Sequence, residues 1–178
     1  MPSSMLQPWH EFYGLIGTAA SALLALLFVA VSIGAGALPR ESAGPTRTYM
    51  SPVAFHFTAV LFVSALVLAP AQTAASLAIL LALTAAAGFF YAGFIIRRLL
   101  KDGIADLPDR LAYGVAPLVA YAIILVSAVL FLNGSNHAAD ALAVGAVMLL
   151  VVNVRNAWDL LLAMARRQSQ TRGGAPPP

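Results

Sequence analysis

Charged residues cut this chain into long apolar runs, and the run lengths carry the first structural information. Phe12–Leu38 has no charge over 27 residues, Thr48–Ile96 none over 49 and Leu111–Ala139 none over 29. A helix rising about 1.5 Å per residue crosses a hydrocarbon core of about 30 Å in roughly 20 residues, so the first and last of these runs each predict a membrane span. The 49-residue run would be about 74 Å long as one helix and must fold back. Its break is Pro70-Ala71-Gln72, which gives a second span over Pro52–Ala69 and a third over Thr73–Ile96, joined by a tight turn.

A fifth span is less regular. Ala141–Val154 is cleanly apolar, Arg155, Asn156 and Asp159 interrupt, and Leu160–Ala165 resumes the apolar character. Several Leu and Val at about −0.3 to −0.6 kcal/mol each offset much of two ionisable residues at about +2.5 to +3.5 each, so Ala141–Ala165 reads as a span carrying a polar patch. The expectation is an all-α polytopic bundle of five transmembrane helices, over about 12–38, 52–69, 73–96, 111–132 and 138–165. Residues 1–167 then form one transmembrane domain, and 168–178, with Gly173, Gly174 and three terminal prolines, form a disordered tail.

Composition agrees. Hydrophobic residues make up 61% and charged residues 10% of 178, with mean hydropathy +0.86, far from the roughly 45–50% and 25% of soluble domains. Net charge is +3, yet the basic residues lie between the apolar runs and read as topology signals rather than as a nucleic-acid surface. Arg40 and Arg47, then Arg97, Arg98, Lys101 and Arg110, then Arg166, Arg167 and Arg172 all fall on one side of a five-span arrangement, and none falls on the other. The positive-inside rule therefore expects the N-terminus outside and the C-terminus in the cytoplasm. The first run is too long for the apolar core of a signal peptide and nothing basic precedes it, so a retained span is expected. With no cysteine, disulfides and thiolate sites are excluded.

Helices in lipid associate through close packing at small residues. Gly17, Ser21 and Ala25 repeat at four-residue spacing in the first span beside Thr18 and Ala22, and Ala78, Ala82 and Ala86 do so in the third beside Gly88 and Ala92. Pro117 lies near the start of the fourth span and predicts its first turns or a kink, after an entry in which Asp109 caps the helix. Asp102, Asp106 and Asp109 would share one face. Asn133-Gly134-Ser135 predicts a reversal followed by a Ser or Asn helix cap, and Trp9, Phe12 and Tyr13 predict an outer aromatic belt. His10-Glu11 begins a zinc-protease pattern that Gly14 breaks, and no phosphate loop, dinucleotide fingerprint or nucleophile elbow is present. Neither an enzyme nor a cofactor is expected.

The distinctive chemistry is Asn153-Val-Arg-Asn-Ala-Trp-Asp159. With Arg155 at 0° on a helical wheel, Asp159 falls near 40° and Asn156 near 100°, while Val147, Leu150, Val154, Trp158 and Leu161 fall at about 220–320°. Arg155 and Asp159, four apart, can pair within the helix. Counted from Arg166, Asp159 lies about 10 Å and Arg155 about 16 Å inside the cytoplasmic boundary, near the depth expected of His56, Tyr91 and Ser32. The expectation is an inner-leaflet cluster of Ser32, His56, Tyr91, Arg155, Asn156 and Asp159, with Arg155 as the charge that the others satisfy, acting either as a structural network that locks the five helices together or as a binding site for an ion, proton or anionic headgroup.

Two blocks, Trp9…Phe12…Gly17 followed by Ala22–Ser32, and Val154-Arg-Asn-Ala-Trp-Asp-Leu160, resemble a group of small bacterial integral membrane proteins of no established activity, some labelled modulator of FtsH protease. The resemblance implies a bacterial inner-membrane protein. Two functions follow as expectations. One is an accessory or regulatory role through helix contacts with a membrane-protein partner or a second copy; the other is a small homo-oligomeric channel or transporter lined by Arg155 and Asp159.

Overall fold

The computed structural model describes residues 6–35, 43–102 and 111–173, and within them every element is helical. A short 3-10 turn, Gln7–Trp9, leads into α1 (His10–Ala35); α2 is Ala43–Leu68 and α3 is Ala74–Asp102. A π-helical turn, Leu111–Val115, opens α4 (Ala116–Leu132), and α5 is Ala138–Gly173. Four segments are long and apolar enough to cross a membrane: Gln7–Ile33, Ala74–Arg98, Ala112–Leu132 and Ala138–Arg166. The apolar part of α2, Pro52–Leu68, is shorter. Among the described residues the chain is a bundle of five α-helices whose apolar lengths suit a membrane.

Helix ends follow local chemistry. α3 starts on a reciprocal cap in which the Ser76 N–H donates to Thr73 Oγ1 and the Thr73 N–H donates to Ser76 Oγ, both at 3.1 Å. α4 ends as the Asn-Gly pair predicts. Gly134 takes φ +65°, its N–H reaches the Phe131 carbonyl, and the Ser135 N–H reaches that of Leu130, the double closure of a Schellman motif. Ser135 Oγ then accepts from the His137 N–H at 3.3 Å at the entry to α5.

Two boundaries differ from expectation. α2 begins at Ala43, so Pro52 stands inside the helix rather than at its start. α5 continues to Gly173, so residues 168–173 are helical and not part of a disordered tail; an existing helix extends one residue at a time without a new nucleation cost, and the first glycine of the tail is Gly173 itself. The cap expected of Asp109 and the Asp102–Asp106–Asp109 grouping depend on residues outside those described.

The helices form a ring. α1 packs along α2, α3 along α4 and α4 along α5; α2 meets α3, α1 meets α5, and α2 also crosses to α5. The buried faces meet around Phe57, Val60, Leu81, Tyr121, Ile124, Leu142 and Leu149, all 0–1% exposed. The small-residue ridges are rotated from expectation. In α1, Gly17 and Ala20 face inward, with Gly17 against Ser64 of α2, while Thr18, Ser21, Ala22 and Ala25 are exposed. In α3 the buried line is Ala78, Ala85, Gly88 and Ala92, and Ala86 faces out. Leu15, Leu83, Phe90, Val126 and Val151 are among the exposed apolar side chains that give the ring its apolar exterior.

The α2–α3 turn holds the one non-glycine residue with positive φ among those described, Ala71 at 59°. An L-residue with a Cβ there carries a local cost of about 1–2 kcal/mol, which glycine avoids. Ala71→Gly is expected to raise stability by up to about 1 kcal/mol after the added flexibility of the unfolded chain is offset. Thermal unfolding in detergent measures this; a lowered Tm contradicts the strain assigned to the turn.

Candidate functional site

The polar residues of the Asn153–Asp159 stretch separate into an inward pair and an outward pair. α5 supplies both, because its sequence places amides on one face and charges on another. Asn153 and Asn156 are 0% and 1% exposed. Asn153 Nδ2 donates to the Val53 carbonyl of α2 at 3.0 Å, and Asn156 Nδ2 donates to the Ala112 carbonyl at 3.1 Å.

The second bond has a specific cause. In π-helical register a carbonyl pairs with the N–H five residues ahead, and for Ala112 that residue is Pro117, which has none. The Asn156 amide supplies the missing donor from the neighbouring helix, which is how a proline is tolerated in a membrane helix. Tyr113 returns a bond, its hydroxyl donating to the Asn156 backbone carbonyl at 3.0 Å. The entry of α4 is thus stitched to α5 from both sides.

One turn from Val53, His56 is 1% exposed and its Nδ1 lies 2.8 Å from the Tyr121 hydroxyl of α4. Gly88 makes room for Tyr121: a Cβ at that position would stand 2.3–2.4 Å from the tyrosine ring. Tyr91 completes the layer by stacking on Phe55 with centroids 4.5 Å apart, and it meets the His56 ring edge-on at 6.3 Å. His56 Nε2, Asn153 Oδ1, Asn156 Oδ1 and Ser64 Oγ are buried and make no hydrogen bond among the described residues.

Arg155 is not the buried hub expected from the sequence. Its side chain is 49% exposed and that of Asp159 39%, and their closest approach, Nη2 to Oδ2, is 3.7 Å. The inward direction of α5 is set by Leu142, Leu149 and Leu160, which with Arg155 at 0° fall at about 120–140°. Asn153 and Asn156 flank that direction, whereas Arg155 and Asp159 lie about 80–140° away from it. Ser32 is also outside the cluster. It is exposed and bonds its own helix, donating to the Phe28 carbonyl at 2.8 Å.

Of the expected residues, the structure places His56 beside Tyr91 and Tyr121, while Asn156 bonds the α4 entry at Ala112 and Tyr113, one turn along α5 from the Asn153–Val53 bond. Tyr121 carried no sequence signal of its own, being one tyrosine in an apolar run. Asn153 and Asn156, three apart on the line of Leu149 and Leu160, did carry one. At the other end, Tyr13 is 0% exposed and donates to the Ala139 carbonyl at 3.3 Å, so it clamps α1 to α5 while its ring stays in contact with Phe12 at 5.1 Å and Trp9 at 6.3 Å. A surface groove of about 380 Å³ between Gln7, His10 and the Pro70–Gln72 turn contains none of the expected site residues.

No family model, curated protein or solved structure matches the chain.

The two sets respond differently to mutation. Asn156→Leu strips the Ala112 carbonyl of its donor and is expected to cost about 1–3 kcal/mol. Asp159→Ala breaks a half-exposed pair and is expected to cost about 1 kcal/mol or less, not the 3–5 of a buried pair. Unfolding in detergent ranks them, and equal losses contradict the division between inward amides and outward charges.

Proposed function

We propose that this is a five-span protein of the bacterial inner membrane, N-terminus outside, with an accessory or regulatory role exercised laterally through contacts with other membrane helices. The observation that carries this reading is the Arg155–Asp159 pair, half-exposed on the outer surface of α5 within an apolar exterior. Charges at membrane depth are costly and are retained where they meet a polar partner. The inward amides already serve the bundle, so the outward charges are available to something beyond it. The resemblance of the Arg155–Asp159 block to small bacterial integral membrane proteins supports the same membrane. A conducting path lined by these two charges would have to run between chains, because both lie on the outside of one.

The spans and orientation are supported by the nine-to-zero division of basic residues between the two sides and by the apolar Pro52–Leu68 part of α2, which lies at the short end of the lengths that cross a membrane. The chain has no cysteine, so single cysteines at Ser4, Ser42, Ser135 and Ser169 report sidedness directly. An impermeant thiol reagent on intact cells is expected to label Ser4→Cys and Ser135→Cys and to spare the other two; the reverse pattern overturns the orientation. A photoreactive side chain at Val154 tests lateral contact in native membranes. Protein adducts are expected, and adducts to lipid alone contradict the accessory reading.

A further inference from the structure

We propose that the outward face of α5 is a self-association seam whose partner is a second copy of this chain, held in parallel register by a four-charge ring of Arg155 and Asp159 from each copy. This rests on the lateral-contact reading above and names the partner.

The first ground is spacing. Along α5, Met148, Arg155 and Leu162 recur every seven residues, and Val144, Val151 and Trp158 recur in the same period three residues ahead of each or four behind. These are the a and d positions of a left-handed helix pair, the commonest crossing in membrane bundles. Val144 is 57% exposed, Val151 and Trp158 61%, and Leu162 39%, so these positions face away from the bundle, while Met148, at the edge of the seam, is partly buried against the core.

The second ground is charge. The guanidinium of Arg155 has five N–H donors in a fixed fork. Its approach to Asp159, 3.7 Å, is longer than a hydrogen bond, and no hydrogen bond reaches it among the described residues. Arg155 is the single charged residue on the seam, at an a position, and Asp159 flanks it at the following e position. All copies of a membrane protein share one orientation, so a two-fold axis along the membrane normal brings the same turn of each α5 face to face. Each arginine then lies between its own aspartate and the partner's Asp159, and charges of opposite sign alternate around the axis. A lone polar a position is also the device that selects register and strand number in paired helices. The surface is complementary to itself without any further residue.

The test is oxidative cross-linking of single cysteines in native membranes, with comparably exposed positions on α3 as controls. Val144→Cys, Val151→Cys and Trp158→Cys are expected to give covalent dimer, while Leu83→Cys and Phe90→Cys give little. In liposomes, energy transfer between labelled copies is expected to weaken about tenfold in Asp159→Asn, which keeps the side-chain shape, and to weaken further in Asp159→Arg. Exchange of the two charges, Arg155→Asp with Asp159→Arg, restores it, because the ring alternates in either order. Cross-links that are equal on α3 and α5, or a monomer at every protein-to-lipid ratio, overturn the second copy. If the chain is monomeric and Val154 still forms adducts with another membrane protein, the seam is wrong and the lateral role stands; if it is monomeric with lipid adducts alone, both fail.

Discussion

Hydrogen bonds to and from α5 are the constraint on which the rest of the bundle depends. Apolar side chains gain little by leaving lipid for one another, so position must come from packing and from polar groups that have no alternative partner. Near its start α5 offers the Ala138 and Ala139 carbonyls to Ser127 of α4 and Tyr13 of α1. Further along, Asn153 and Asn156 reach the backbones of α2 and the α4 entry. Three helices are thereby located against one, at both ends of its apolar length. The His56–Tyr121 bond then ties α2 to α4 directly.

The proline of α4 explains why one of these bonds is obligatory. Pro117 withdraws a donor, the π turn rearranges the local ladder, and the Ala112 carbonyl is left facing α5. In water that carbonyl would be hydrated. In a helix bundle within lipid it must be met by protein, and Asn156 meets it. A neutral amide suits this place better than a charge, since burying an ion costs several kcal/mol more than burying an amide that keeps its hydrogen bond.

Much of the architecture was legible because it follows from lengths and from strong local chemistry. Uncharged runs marked the helices, Pro70–Gln72 the hairpin and Asn133-Gly134 the Schellman reversal. What failed were inferences of direction. A polar patch on a helical wheel says which residues are neighbours but not which of them faces the core, and the patch of α5 spans more than 100°. Weighting charge over shape turned Arg155 inward. The leucines at 142, 149 and 160 point the other way and carry the amides with them. Ser32 misled for a different reason, since a serine in an apolar helix can satisfy its hydroxyl on its own backbone and then needs no cluster. Tyr121 and the Ala112 carbonyl were illegible in principle. The first depends on a gap opened by Gly88 on another helix, and the second on a register shift that only the folded backbone reveals.

The division of labour within α5 has a consequence for experiment. The inward amides are tied to backbone atoms that exist whatever the neighbouring side chains are, so they tolerate change around them but not in themselves. The outward charges are tied to nothing that the fold requires. The charges are separable from stability: the bundle keeps its core, its proline repair and its clamps when Asp159 is changed to Asn or to Arg. Loss of function in such a variant therefore reports on the contact itself rather than on unfolding.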